Sequence, residues 1–279
     1  MEKREFSRSE NAEKIDFRDV VIFTTTLYGE DESSKIRSAL ALDLFARAGE
    51  LGIKIIVVDG GSGDDFLDKT RGFKNVSVIV EKDLNMGDSR RFALKKAMDE
   101  YPDSSYFLWM EPEKADLIKE ENLVKMLKNL RSHEADIVVP RRKSTESMPH
   151  FQAWIETRAN KRASGVLPPR DKDDGSSEFD LWFGPKIFNR EGAQYFLKDK
   201  GKKWESIIRP VVDAAKDGMQ VDQVEVDFNY PALQTDNEDD DPEFKKKRLS
   251  QYRSILKELG DPFWSEKGEK SEKERDGKK

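Results

Sequence analysis

The sequence predicts an α/β fold: a mostly parallel central sheet with helices packed on both faces. Three observations carry this. From residue 20 to residue 140, short β-branched or apolar runs alternate with stretches of helical periodicity. The first of these runs is continuous rather than alternating, the pattern of a strand buried on both faces. The first, second and fourth runs exit into polar or glycine-rich turns, and open parallel sheets bind ligands at the carboxyl ends of their strands.

The first strand is Val20-Val21-Ile22-Phe23-Thr24-Thr25-Thr26, with a polar exit. A helix is expected from an N-cap at Ser33-Ser34 to about residue 48: Ile36, Leu40, Leu44 and Ala48 recur every four residues, and Gly49 and Gly52 close it. A second strand over 54–58 runs into Asp59-Gly60-Gly61-Ser62-Gly63-Asp64-Asp65, whose composition demands a sharp turn. Strands over 76–80, 106–110 and 136–140 alternate with helices over 89–100 and 121–131. After Pro140 the organisation changes to a helix over 150–164 and then a loop over 168–177 that reads as a mobile lid. Next come the segment 181–188, helices over 190–197 and 203–217, a strand over 221–228, an acidic break over 238–242 and an amphipathic helix over 243–259. There is no internal repeat. One domain is expected over 19–262, with halves 19–140 and 141–262. The polar arm 1–18 and the charged tail 263–279 are expected to be disordered.

Composition narrows the function. The chain has no Cys, which excludes disulfides, Cys-ligated zinc and thiol nucleophiles, and its two His residues, His133 and His150, cannot build a His-rich metal site. Fifty basic residues against 56 acidic give a net charge of −6 without a basic stripe, so nucleic acid is not the expected partner. An anionic ligand must be held locally, by backbone N–H groups, by particular Lys or Arg side chains or by a bound cation. The N-terminus lacks an apolar signal region, and no stretch approaches the roughly 20 apolar residues that span a bilayer. A soluble, cytoplasmic protein is expected. Oligomeric state is not readable.

Three constellations carry possible chemistry. Asp59, at the end of the second strand, either accepts from a base or ribose hydroxyl or simply starts a turn. Glu111-Pro112-Glu113 follows the fourth strand, and residues two apart on an extended segment point the same way. Such a pair suits a hard divalent cation bridging to a diphosphate, or it is a charged turn opening a helix. In Asn85-Met86-Gly87-Asp88-Ser89-Arg90-Arg91, Gly87 permits close approach, Ser89 caps a helix and Arg90 or Arg91 meets phosphate. Lys186, in Phe183-Gly184-Pro185-Lys186, is a further candidate for a diphosphate or acceptor carboxylate. Trp154, Trp182 and Trp204 are either core or the apolar walls of a sugar site.

In this order the segments resemble the family-2-like glycosyltransferases of the GT-A fold, in which a second strand ends in V-V-D-D-G-S, followed by an N-x-G segment and a D-x-D at a strand end. The corresponding residues are Val57-Val58-Asp59-Gly60-Gly61-Ser62, Asn85-Met86-Gly87 and Glu111-Pro112-Glu113. A more distant likeness to the mannosylglycerate synthase group adds Pro140-Arg141-Arg142, Ser144-Thr145, Trp154, Phe183-Gly184, Arg190-Glu191 and Trp204, and extends over residues 19–235. The sequence departs from the pattern at three places. D-x-D reads E-x-E, the second Asp after Asp59 reads Gly60, and the segment that holds a late metal-ligand His reads Asp227-Phe228-Asn229-Tyr230-Pro231-Ala232.

The resemblance implies glycosyl transfer from a nucleoside diphosphate sugar to a small or soluble acceptor. Thr24, Thr25, Thr26, Asp59 and Gly60 would meet the nucleoside. Asn85, Gly87 and Arg90 would line the donor cleft with Lys186, and Glu111 and Glu113 would hold Mg²⁺ or Mn²⁺. An inverting enzyme needs a general base, and by position Asp180 and Glu205 are the candidates. A retaining enzyme needs none. The altered D-x-D and missing His also admit a GT-A-like protein that binds a nucleotide or sugar without transferring it. Nucleotidyl transfer is a third possibility, but it normally opens with a glycine-rich first loop, which residues 24–31 do not provide.

Overall fold

The structure is a computed structural model that describes residues 15–167, 178–239 and 241–260. The elements are β1 (Val20–Thr26), α1 (Glu32–Glu50), β2 (Lys54–Asp59), α2 (Asp64–Arg71), β3 (Val76–Val80), α3 (Met86–Glu100), β4 (Tyr106–Trp109), α4 (Glu120–Arg131), β5 (Ile137–Arg142), α5 (His150–Ser164), β6 (Lys186–Phe188), α6 (Arg190–Lys198), α7 (Arg209–Lys216), β7 (Val221–Val226), α8 (Ala232–Asp239) and α9 (Pro242–Glu258). Seven strands form one sheet in the order β3-β2-β1-β4-β6-β5-β7. Only β6 is antiparallel to its neighbours. The expected α/β fold is therefore present.

The continuous apolar character of β1 is explained by its position second from the middle of this sheet. Val20 and Ile22 pack on one face with Leu44, Phe45 and Leu127, and Val21 and Phe23 pack on the other with Leu94, Trp109 and Val211. Because side chains alternate across a strand, burying both faces requires an uninterrupted run. The parallel register sets Thr26 beside Asp59 and Phe23 beside Trp109, so the exits of β1, β2 and β4 open at the same edge of the sheet.

Several boundaries differ from the sequence expectation for local reasons. Asp31, not Ser33-Ser34, caps α1: its carboxylate accepts from the Ser34 backbone N–H at 2.9 Å. Asn85 caps α3 three residues before the expected start, accepting from the Asp88 N–H. The helix expected over 203–217 is a 3₁₀ turn, Trp204–Ile207, followed by α7 with Pro210 in its first turn, where a missing N–H costs nothing. α2 and α8 were not expected, and the segment 181–188 yields only the three-residue β6. A 3₁₀ turn, Phe17–Asp19, precedes β1 and buries Phe17 in the core. The lid at 168–177 and the tail at 263–279 lie outside the described residues, as does the arm up to residue 14.

Gly87 tests the packing of α3 against the loop after α6. Its N–H donates to the Lys202 carbonyl at 3.0 Å, and a Cβ there would fall 1.9 Å from the Gly201 carbonyl oxygen. Since backbone must shift to relieve that overlap, Gly87→Ala is expected to lower unfolding free energy by about 1–3 kcal/mol. Urea denaturation followed by circular dichroism measures it.

Candidate active site

The exits of β1 and β2 are laced together by one carboxylate. Asp59 is fully buried and accepts from Thr26 Oγ1 (2.6 Å), the Gly61 N–H (2.8 Å), the Ser62 N–H (2.7 Å) and Ser62 Oγ (2.6 Å). The Tyr28 N–H donates back to Ser62 Oγ at 2.9 Å. Gly61 sits at φ 109°, a conformation that only glycine adopts without strain. The turn-starting reading of Asp59 is thus the one realised, and its oxygens are occupied by the loop itself. Thr24 is also turned inward, donating to the Met110 carbonyl at 2.8 Å and tying β1 to the exit of β4.

Beyond these exits lies a cleft of about 380 Å³. Of the residues singled out in the sequence, Thr25, Thr26, Gly60, Arg90, Glu111 and Glu113 line it. Leu27, Leu84 and Met86 also line it, large apolar side chains that are 69%, 36% and 39% exposed. Trp182, Trp204 and Tyr230 line it from the half 141–262, whereas Trp154 is 52% exposed and is not among the lining residues.

Glu111 and Glu113 both face the cleft, in unlike environments. Glu111 Oε2 lies 3.0 Å from Lys114 Nζ, and the carboxylate is so close to Gly184 that a Cβ there would fall 2.0 Å from Oε1. Burial raises the pKa of Glu111, but the Lys114 charge and hydrogen bond, with Arg90 beyond, bring it below the usual range. Glu113 accepts from Tyr28 Oη at 3.3 Å, and there burial outweighs the pull of Arg37 and raises the pKa. Arg90 stands over the Trp109 ring at 4.9 Å and donates to the Lys203 carbonyl (2.9 Å) and Ser206 Oγ (2.8 Å). Burial lowers its pKa to about 10, with Glu111 and Glu205 pulling the other way. Its neighbour Arg91 is committed elsewhere, to Asp88, Asp199 and the Gly201 carbonyl.

The remaining candidates are held away from the cleft. Asp180 accepts from Arg142 Nε (2.7 Å), Arg142 Nη2 (2.6 Å) and Asn160 Nδ2 (2.7 Å), so no oxygen is left to take an acceptor proton. Glu205 Oε1 accepts from the Lys202 and Lys203 N–H groups at 2.8 and 3.0 Å and closes the turn before Trp204. Lys186 is fully buried, and its ammonium donates to the carbonyls of Leu181, Phe183, Gly184 and Pro185 at 2.5–3.3 Å. It pins a turn and does not face a diphosphate. Asn85 caps α3, and Gly87 is the close-packing position described above.

The sequence did not point to Arg37, Lys114, Gln152, Glu156, Lys247, Arg248 or Gln251, all of which line the cleft. They come from α1, the turn after β4, α5 and α9. Their sequence signal is that of ordinary polar positions on amphipathic helices.

Glu111 and Glu113 do not stand free for a divalent ion, which beside a diphosphate takes one or two carboxylates and draws its other oxygen ligands from phosphate and water. Among the described residues no three of His, Cys, Asp and Glu come together to hold one, and Glu111 and Glu113 already face Lys114 and Arg37.

Residues 33–196 match the sequence profile described as Glycosyl transferase family 2, more than half of the chain. The chain belongs to this family. Its similarity to solved structures is distant and bears on the fold of this family-2 chain alone. Glucosyl-3-phosphoglycerate synthase of Mycobacterium tuberculosis superposes with a TM-score of 0.54 at 14% identity, over 86% of this chain and 80% of that one. The same enzyme in complex with phosphoglyceric acid gives 0.53 at 13%, over 86% and 80%. CMP:2-keto-3-deoxy-manno-octonic acid synthetase complexed with CTP gives 0.50 at 11%, over 84% and 99%. No curated protein matches by sequence. Among the described residues, no helix of this family-2 chain is long and apolar enough to cross a membrane.

The placement of Asp180 separates structure from chemistry. Asp180→Asn leaves Arg142 buried with a weakened partner and is expected to cost about 3 kcal/mol of unfolding free energy, as broken buried pairs do. Equilibrium denaturation checks it. Unchanged stability with lost turnover would instead return Asp180 to the role of base.

Proposed function

We propose that this family-2 chain transfers a hexosyl unit from a nucleoside diphosphate sugar to a hydroxyl of a small or soluble acceptor, and that the reaction takes place in the cleft at the exits of β1, β2 and β4. The observation that carries the reading is the mixed lining of that cleft. Leu27, Leu84 and Met86, exposed and apolar, line it together with Thr25 and Gly60, and such surfaces suit the flat face of a base. Glu111, Glu113, Arg90 and Lys114 add charged groups, and Trp182, Trp204 and Tyr230 add aromatic ones. A nucleoside, a diphosphate and a sugar between them call for those three kinds of surface. The volume of about 380 Å³ lies within the range of small-molecule sites.

A base for the acceptor hydroxyl, if the reaction inverts, has to come from carboxylates that reach the cleft. Those are Glu111, Glu113 and Glu156. Glu156 is held by Arg142 at 2.8 Å and by Gln152 at 2.7 Å. The engagement of Asp180 and Glu205 elsewhere favours a second reading, binding of the nucleotide sugar without transfer. No step is routed through Mg²⁺ or Mn²⁺, because Glu111 and Glu113 do not stand free for one.

Incubation with UDP- and GDP-sugars and a panel of hydroxyl acceptors, with release of nucleoside diphosphate as readout, separates the two. Transfer supports the first reading, and saturable binding with no release under any condition leaves the second. Leu27→Asp alters an exposed side chain and is expected to raise KM, or Kd where turnover is absent, about tenfold with kcat unchanged. An unaltered constant would remove the base from this surface of the cleft.

A further inference from the structure

The charge of the cleft is opposite to that of the chain. The chain carries −6, yet Arg37, Arg90, Lys114, Lys247 and Arg248 line the cleft against only Glu111, Glu113 and Glu156. This positive charge is only partly spent on carboxylates within the site, where Lys114 Nζ lies 3.0 Å from Glu111 Oε2. Arg90 meets only the neutral oxygens of Lys203 and Ser206 within hydrogen-bonding distance. Lys247 has no ion-pair partner among the described residues. Arg248 stands 3.8 Å from Glu156, whose closer partner is Arg142 at 2.8 Å. Arg37 donates to Glu238 at 2.8 Å, and the Nε–H groups of Arg37, Arg90 and Arg248 are all buried without an acceptor. Burial, followed by the charges of Arg37 and Arg248, pushes the Lys247 ammonium below its ordinary range against the pull of Glu238 and Glu113.

We propose that the diphosphate of the donor is held and its charge neutralised by the side-chain cations Arg37, Arg90, Lys114 and Lys247, and not by a divalent metal ion on Glu111 and Glu113. The inference rests on the nucleotide-sugar reading of the cleft and adds to it the partners of the anionic group. It explains the E-x-E turn. Glu111, packed against Gly184 and 3.0 Å from Lys114 Nζ, positions an ammonium beside the cleft. It also accounts for the basic residues that α1 and α9 bring to the cleft, Arg37 from the one and Lys247 and Arg248 from the other. Fixed ammonium and guanidinium groups and a bound cation meet the same electrostatic need.

The test is isothermal titration of the full chain with UDP, GDP, ADP and CDP, in EDTA and again in MnCl₂. At least one nucleoside diphosphate is expected to bind in EDTA, with an affinity within about threefold of that in Mn²⁺. Lys247 is exposed enough to be replaced without loss of the fold, which circular dichroism verifies. Lys247→Ala is expected to weaken that nucleotide about tenfold, the worth of one charge-assisted contact. The corresponding nucleoside should be unaffected, and Lys247→Arg should restore most of the loss. Binding that appears only with Mn²⁺, or a Lys247→Ala variant that binds like the parent, overturns the proposal while leaving the nucleotide-sugar reading in place. No binding of any nucleotide in either condition overturns that reading and the proposal with it.

Discussion

The shape of the site depends on one buried guanidinium. Arg142, at the end of β5, donates to both oxygens of Asp180, pairs with Glu156 at 2.8 Å and lies over the Phe183 ring at 4.9 Å. Through these contacts it joins the sheet to α5 and to the segment that leads into β6. Burial opposes its charge, but Asp180 and Glu156 overcome that and hold its pKa well above the ordinary value. A pair taken this far from water adds little net stability compared with an apolar core, yet breaking it is expensive. What it supplies here is position. With the 180–185 segment fixed, Gly184 rests against Glu111, Lys186 pins the turn through its carbonyls, and this wall of the cleft is held against the exit of β4.

The opposite wall is fixed by Asp59 in the same way, by a carboxylate that consumes its own hydrogen-bonding capacity. Four donors from Thr26, Gly61 and Ser62 converge on it. The backbone N–H groups that would otherwise form an anion-binding nest are already filled from within. A donor's phosphates therefore gain nothing from this loop, and its contribution is limited to the surfaces that reach the cleft, Gly60 and the neighbouring Thr25 and Leu27.

The sheet was legible in the sequence because burial on both faces leaves a continuous apolar run, and β1, β2 and β4 were found from that alone. The short β6 was not, since three residues of an antiparallel strand carry no period. At the site, Glu111 and Glu113 were legible because they follow a strand closely, although the chain there is a turn closed by the Lys114 N–H on the Glu111 carbonyl and not the extended segment the sequence suggested. The structure engages Asp180, Glu205 and Lys186 elsewhere, and the sequence could not show this for a shared reason. A charged residue near a cleft reads identically in sequence whether its charge is offered to a ligand or consumed by Arg142, by two backbone N–H groups or by four carbonyls. Arg37 and Lys247 were missed for the converse reason. Each is a polar position on a helix, and only the tertiary packing brings residues 210 positions apart to one cleft.

That packing has an electrostatic consequence beyond the local contacts. A chain with a net charge of −6 repels a nucleoside diphosphate at long range, but at physiological salt such fields are screened within about 8 Å. Inside that distance the walls decide, and a cleft with apolar sides focuses the field of the cations lining it. The unequal pair at the E-x-E turn adds to the effect. Glu111 is held below the usual carboxylate range and Glu113 above it, so protonation as the pH falls reaches Glu113 first, and the turn then carries less than two full negative charges. The positive excess in the cleft is smallest when both are ionised, and even then five cations face three carboxylates. The balance of charge in the cleft is thus set by the arrangement of a few side chains, in a molecule whose overall charge has the opposite sign.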